Sequence, residues 1–129
     1  MKVLAVDDNV THSYALRKIL EHSGFEVLIA HSGAESLDLA RNECPDVVLL
    51  DINLPDMTGY DVCSRLKTEK ATSQIPVVLH SATEATGPAR NQAESVGASA
   101  FLTYPIDPYQ LTLVLQGVKA RASGKEPAS

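Results

Sequence analysis

Asp46-Val47-Val48-Leu49-Leu50-Asp51 is the most apolar run of the chain, and a carboxylate closes it at each end. Valines and leucines in unbroken succession, with no polar residue alternating between them, read as a strand covered on both faces, as in a parallel sheet with helices packed on either side. A second short run, Val3-Leu4-Ala5-Val6, leads in the same way into Asp7-Asp8. A carboxylate set where a buried strand stops is costly to desolvate unless a proton, a cation or hydrogen-bond donors join it. These strand ends are therefore where function is to be sought.

Working outward from that run, short β-branched segments alternate with longer segments of helical period. Strands are expected at Val3–Asp7, Glu26–Ala30, Asp46–Leu50, Pro76–His80 and Ala100–Thr103, each followed by one helix. The first helix carries Leu16, Ile19 and Leu20 on one face and stops at Ser23-Gly24, a C-terminal glycine signal. Ser32-Gly33-Ala34-Glu35 has the form of a capping box, in which the serine bonds the third backbone N–H and the glutamate reaches back. The third helix is expected to begin around Gly59 to Asp61 and to turn Val62, Cys63 and Leu66 inward. Gly87-Pro88 and Asp107-Pro108 suit the starts of the last two helices, because proline in the first turn loses no needed hydrogen bond. Ala89, Ala93 and Val96 are the inward candidates of the fourth. Leu111, Val114, Leu115 and Val118 fall at i, i+3, i+4 and i+7 of the fifth. The expectation is one α/β domain over residues 1–121 with a doubly wound parallel sheet, strand order 2-1-3-4-5, and a tail over 122–129.

Composition limits what such a domain does. The chain has 129 residues, 44% hydrophobic and 21% charged, enough for a single core. Its formal net charge of -5 argues against direct nucleic-acid binding, which demands a basic face. Cys44 and Cys63 have no metal-ligand spacing and form no disulfide framework, so both read as reduced cysteines of a cytoplasmic protein. No stretch approaches the roughly 20 apolar residues of a membrane span, and no signal peptide precedes Asp7.

In an open parallel sheet the ligand crevice lies outside the C-terminal strand ends, where strand order reverses. With order 2-1-3-4-5, strands one and three are neighbours at that point, and Asp7, Asp8 and Asp51 converge on it. Three anions repel one another until protonation or a divalent cation intervenes. Oxygen ligands beside water suit Mg²⁺, and a cation beside a carboxylate suits phosphoryl chemistry with an aspartate nucleophile. Asp51, on the central strand, is the expected nucleophile. Asp8 is the expected direct metal ligand, with Asp7 acting through water or by orienting the site. His12, His22, His31 and His80 share no metal spacing and receive no role, His80 being read as a strand residue packed beside the crevice.

These residues carry a family resemblance. Val6-Asp7-Asp8-Asn9, Leu49-Leu50-Asp51-Ile52-Asn53-Leu54-Pro55-Asp56-Met57-Thr58-Gly59 and His80-Ser81-Ala82 resemble the motifs of the receiver domains of two-component response regulators over residues 1–121. The resemblance implies a flavodoxin-like (βα)5 fold and a phosphoacceptor signalling domain. Asp51 would take a phosphoryl group from the phosphohistidine of a sensor histidine kinase or phosphotransfer protein. Asp7, Asp8, Asp51 and the backbone carbonyl of Asn53 would hold Mg²⁺. It also implies a switch hydroxyl at Ser81, an aromatic switch at Phe101, and tuning of dephosphorylation by Asn53 and Thr83. The face of helix four, strand five and helix five is the one a homodimer would use. Such a domain catalyses only its own phosphorylation and dephosphorylation, and passes the signal to an effector that the sequence does not name.

One family residue is missing. Where the pattern has lysine before the proline after strand five, this chain reads Thr103-Tyr104-Pro105, so a neutral hydroxyl replaces an ammonium. A charge-assisted hydrogen bond is about twice as strong as a neutral one, and its loss should blunt switching without abolishing transfer. The competing reading is a degenerate receiver that binds partners without phosphoryl control. A flavin-binding protein is disfavoured because Asp7-Asp8 would repel the cofactor phosphate. An aspartate-nucleophile phosphatase is disfavoured because Asn53 cannot protonate a leaving group.

Overall fold

The computed structural model describes residues 1–81, 87–103 and 106–122. The elements run β1 (Lys2–Val6), α1 (Val10–His22), β2 (Glu26–Ala30), α2 (Gly33–Glu43), β3 (Val47–Asp51), α3 (Gly59–Thr68), β4 (Val77–Ser81), α4 (Gly87–Ser95), β5 (Ala100–Thr103) and α5 (Pro108–Ala122). All strand pairs are parallel and the order is β2-β1-β3-β4-β5, so the expected architecture is the observed one.

The unbroken apolar strands are explained by two cores, one on each face of the sheet. Leu4, Val6, Val48, Leu50, Val77 and Leu79 point to one side and meet Leu37 and Ala40 of α2, Val62, Cys63 and Leu66 of α3, and Ala93 of α4. Val3, Val47, Leu49 and Val78 point to the other and meet Leu16 and Leu20 of α1 and Leu111, Leu115 and Val118 of α5. Successive side chains alternate across a strand, so each strand feeds both cores. β3 sits at the centre of the sheet, and Val47 to Leu50 are 0% exposed.

Three strands are displaced by one residue from expectation. β1 runs Lys2–Val6, β3 Val47–Asp51 and β4 Val77–Ser81. Asp46 lies outside β3 because its carboxylate binds elsewhere, accepting Lys2 N–H at 2.6 Å and facing Lys119 Nζ at 3.1 Å. The capping box at α2 also differs. Ser32 Oγ accepts Glu35 N–H at 3.1 Å as expected, but Glu35 Oε1 reaches past the cap to His31 N–H at 2.6 Å. Asp56, distant in sequence, supplies the remaining acceptors for Gly33 N–H (2.8 Å) and Ala34 N–H (2.9 Å). These bonds hold the Asp56 carboxyl below the usual carboxylate range and tie the loop after β3 to α2.

That loop is also held from within. Ile52 N–H donates to His80 O at 3.1 Å, Gly59 N–H donates to Ile52 O at 2.9 Å, and Asn53 and Thr58 form an antiparallel bridge. Gly59 is needed for the closeness of this fold-back. A β-carbon there would stand 2.7 Å from Ile52 Cα and nearer still to the Asp51 carbonyl oxygen, and backbone cannot yield as a flexible side chain would. Gly59→Ala should therefore cost about 1–3 kcal/mol in a urea melt. Gly87→Ala, where a β-carbon meets nothing within 4 Å, should stay within about 0.5 kcal/mol of the parent. Equal stability of the two variants would contradict this account of the loop.

Candidate functional site

The register of the sheet assembles the site. Val6 pairs with Leu50 and Asp51 with His80, so the next step along β1 brings Asp7 beside Asp51. Leu49 and Val78, two residues before Asp51 and His80, lie in the core against α1 and α5, so Asp51 and His80 project from that same face. Asp7, Asp51 and His80 each bring a ligating atom within 4.8 Å of the others. The crevice above is lined by Asp7, Asp8, Asn9, His12, Asp51, Asn53, Leu54 and Pro55. The three expected carboxylates do meet, and Leu54-Pro55 forms one wall.

Asp7 and Asp8 divide as adjacent residues after a strand must. Asp7 is 1% exposed, whereas Asp8 is exposed. Asp7 Oδ1 accepts Asn9 N–H at 2.9 Å, and the Asp7 carbonyl accepts the Ser13 hydroxyl at 3.1 Å. Asn9 in turn caps α1 by accepting His12 N–H at 3.0 Å. This chain of caps pins the acidic loop to the start of α1. Asp7 Oδ2 is buried with no hydrogen-bond partner among the described residues, and His12 Nδ1 faces it at 3.6 Å. At Asp51, Oδ1 accepts Asn53 N–H at 2.9 Å, which fixes the rotation of the carboxylate.

Electrostatics follow from that packing. Burial raises the Asp51 carboxyl to about 6, the charges of Asp7 and Asp8 add to the rise, and the Asn53 N–H works against it. Burial likewise raises Asp7, opposed by the Asn9 N–H and by His12. The two carboxyls are close enough for a shared proton, which also moderates the rise at Asp7. Burial pushes His80 down to about 3, so its imidazole is neutral. Asp46, before the other end of β3, is the contrast. Burial would raise it too, but the Lys2 N–H and the Lys119 ammonium outweigh that and hold it low.

The remaining expected residues lie beside this centre. Ser81 is the last residue of β4, 1% exposed and paired with Thr103. It is two residues after Leu79, so it points to the opposite face from His80. Phe101 pairs with Leu79, packs on the same core and has the Arg90 guanidinium 5.5 Å from its ring centre. Ser81 and Phe101 thus share the α4 side of the sheet. Thr83 and Tyr104 lie outside the described residues.

A model of the response regulator receiver domain matches residues 3–116, nearly the whole chain. The chain belongs to that family. This receiver domain is 36% identical over 119 residues to the protein PilH of Pseudomonas aeruginosa, covering 92% of this chain and 98% of PilH. It is 40% identical over 110 residues to the response regulator PleD of Caulobacter vibrioides, covering 85% of this chain but only 24% of PleD. The chain therefore spans about a quarter of that longer relative. The receiver domain of the sensor histidine kinase PA1611 from Pseudomonas aeruginosa, a structure with a magnesium ion coordinated in its active-site cleft, superposes with a TM-score of 0.84. That match covers 92% of this chain and 97% of the other at 22% identity, a likeness of fold.

Two histidines at the crevice were given no role from the sequence. His12 enters the crevice because α1 begins at Val10 and brings its first turn over Asp7. His80, expected as a strand residue packed beside the crevice, is found there in the same row as the carboxylates. Histidines spaced irregularly along a chain give no periodic signal. The one available clue was that His80 follows three apolar strand residues at a position paired with Asp51.

The raised carboxyl has a consequence for stability. Between pH 4 and 6 the folded chain binds more protons at Asp51 than the unfolded chain, so this contribution falls as pH rises and stays unfavourable above about 6. In metal-free buffer Asp51→Asn should thus be more stable than the parent by about 2–3 kcal/mol at pH 7.5, with the gain vanishing near pH 4. Urea melts at both pH values check it, and a gain independent of pH would refute the assignment.

Proposed function

We propose that this receiver domain accepts a phosphoryl group on Asp51. The observation that carries the reading is the oriented, half-buried Asp51 carboxylate, tied at Oδ1 by the Asn53 N–H and crowded by Asp7 and Asp8. Oδ2 is then the oxygen left to attack. It forms a bond to phosphorus while the phosphorus–nitrogen bond of a phosphohistidine donor breaks, and the departing imidazole keeps the electron pair and takes up a proton. Asn53 N–H holds the attacking group in line, and Leu54 and Pro55 line the crevice beside it.

The carboxylates fit a hard divalent cation: they offer oxygen ligands, one buried oxygen of Asp7 has no hydrogen-bond partner among the described residues, and their repulsion is one that a cation relieves. Asp7, Asp8, Asp51 and the Asn53 carbonyl would hold Mg²⁺. When bound, it neutralises charge on the oxygens of the group being transferred. The magnesium ion in the cleft of the PA1611 receiver domain supports this choice. Ser81 would turn toward the new phosphoryl oxygens, and Phe101 would follow on the shared side of the sheet. A sensor histidine kinase or phosphotransfer protein is the donor, and a cytoplasmic setting suits it. The face of α4, β5 and α5 would serve an effector or a second copy.

Incubation with a small acyl phosphate and Mg²⁺ should add the mass of one phosphoryl group. Asp51→Asn or chelation should remove that gain, and Asp8→Asn should slow it at least tenfold, as loss of a charged metal ligand would. Labelling that survives in Asp51→Asn would sink the reading, and no labelling at all would return the chain to a phosphorylation-independent binding module. Beryllofluoride with Mg²⁺ should shift the amide resonances of β5 less than it does in Tyr104→Lys. An equal response in both would mean that the missing lysine has no effect on switching.

A further inference from the structure

A phosphoryl group on Asp51 adds negative charge beside carboxylates that already repel one another, and the described residues offer it few donors. No lysine or arginine is among the residues lining the crevice. The Asn53 N–H is already committed to Oδ1. His80 is the polar side chain that the sheet places next to Asp51: the two pair directly in register, and both project toward the α1 and α5 side. Its ring lies within 4.8 Å of the carboxylate oxygens of Asp51 and Asp7 and is 0% exposed.

An imidazole at this position is expensive as packing alone. The preceding strand residues Val77, Val78 and Leu79 fill their sites with apolar groups, and a valine at position 80 would avoid the desolvation of a polar ring. Whichever tautomer it adopts, the ring carries at least one N–H donor. With two nitrogens it can keep one neighbour and still face Asp51. Within 4.8 Å of the Asp51 carboxylate, the ring is near enough for a phosphoryl oxygen carried by Asp51 to reach it.

We propose that His80 is a phosphoryl-binding residue of this domain, its ring N–H donating a hydrogen bond to a phosphoryl oxygen carried by Asp51. It supplies a donor on the α1 and α5 side of a crevice whose lining, among the described residues, holds no lysine or arginine and whose His12 faces Asp7. This rests on Asp51 being the phosphoacceptor. The bond forms only in the phosphorylated state, so His80 is expected to prolong that state more than it speeds its formation.

The test uses the full chain, with beryllofluoride as the phosphoryl mimic. Ring nitrogens are followed by ¹⁵N NMR and bound fluoride by ¹⁹F NMR, first with Mg²⁺ alone and then with beryllofluoride added. We expect bound ¹⁹F resonances, a shift of several ppm at one His80 ring nitrogen only after beryllofluoride, and a through-hydrogen-bond coupling between that N–H and one fluorine. His80→Val should weaken beryllofluoride binding about tenfold, while His80→Asn or His80→Gln, whichever places its amide correctly, should recover most of the loss. Bound ¹⁹F signals with unmoved His80 nitrogens would overturn the proposal while leaving Asp51 as acceptor. A shift already complete with Mg²⁺ alone would also overturn it, since the ring would then be a metal ligand. No bound ¹⁹F signal in the parent would overturn the acceptor reading and this one together. Should His80→Val fail to fold, the parent ¹⁵N and ¹⁹F spectra still decide the matter.

Discussion

Everything around the crevice depends on keeping a carboxylate at the end of the central strand of the sheet. β3 carries one aspartate just before its start and one at its end, and the protein treats them oppositely. Asp46 is given the Lys2 N–H and the Lys119 ammonium, and it holds its charge easily. Asp51 is given one backbone N–H and two neighbouring acids, and its carboxyl is pushed up to about 6. Stability alone would favour the first arrangement at both ends. The second leaves an electrostatic debt that a cation or a transferred group can relieve, so binding and function draw on the same misfit.

The surrounding structure serves to keep that misfit from relaxing. Asp51 cannot swing away, because Asn53 holds Oδ1 and the loop from Ile52 to Gly59 is folded back onto the strand through His80 O and Ile52 O. Asp7 cannot move outward, because Asn9 and Ser13 bind its carboxylate and carbonyl. Asp56 fastens the far side of the loop to the N-terminus of α2, where exposed N–H groups favour a negative charge. Rigid supports of this kind hold reacting groups in place at little cost in mobility at the moment of reaction.

The sheet also separates two jobs. Asp51 and His80 look toward α1 and α5, whereas Ser81 and Phe101 look toward α4, because adjacent strand residues face opposite sides. A group added to Asp51 can thus be met by His80 on one side and sensed through Ser81 on the other. β5, an edge strand whose residues are all only partly buried, is the strand least held by burial and the natural one to respond.

Much of this was legible in the chain itself. Unbroken runs such as Val47 to Leu50 announce doubly covered strands, Asp-Asp and the segment from Asp51 to Gly59 name the acidic site, and Gly24, Pro88 and Pro108 punctuate the helices correctly. Strand limits slipped by one residue because an apolar pattern does not reveal which terminal residue has found another partner, as Asp46 has in Lys2 and Lys119. Glu35 was expected at Ser32 and Asp56 was not expected at α2, since side-chain reach across a turn or between loops depends on geometry that local spacing does not encode. His12 escaped for the same reason, and His80 was placed beside the crevice but given no role. Composition and periodicity determined that a parallel α/β sheet would gather carboxylates at its C-terminal edge, because burial patterns follow from the sequence directly. Only the tertiary structure decided which other side chains share that edge, because strand register, and not distance along the chain, sets His80 beside Asp51.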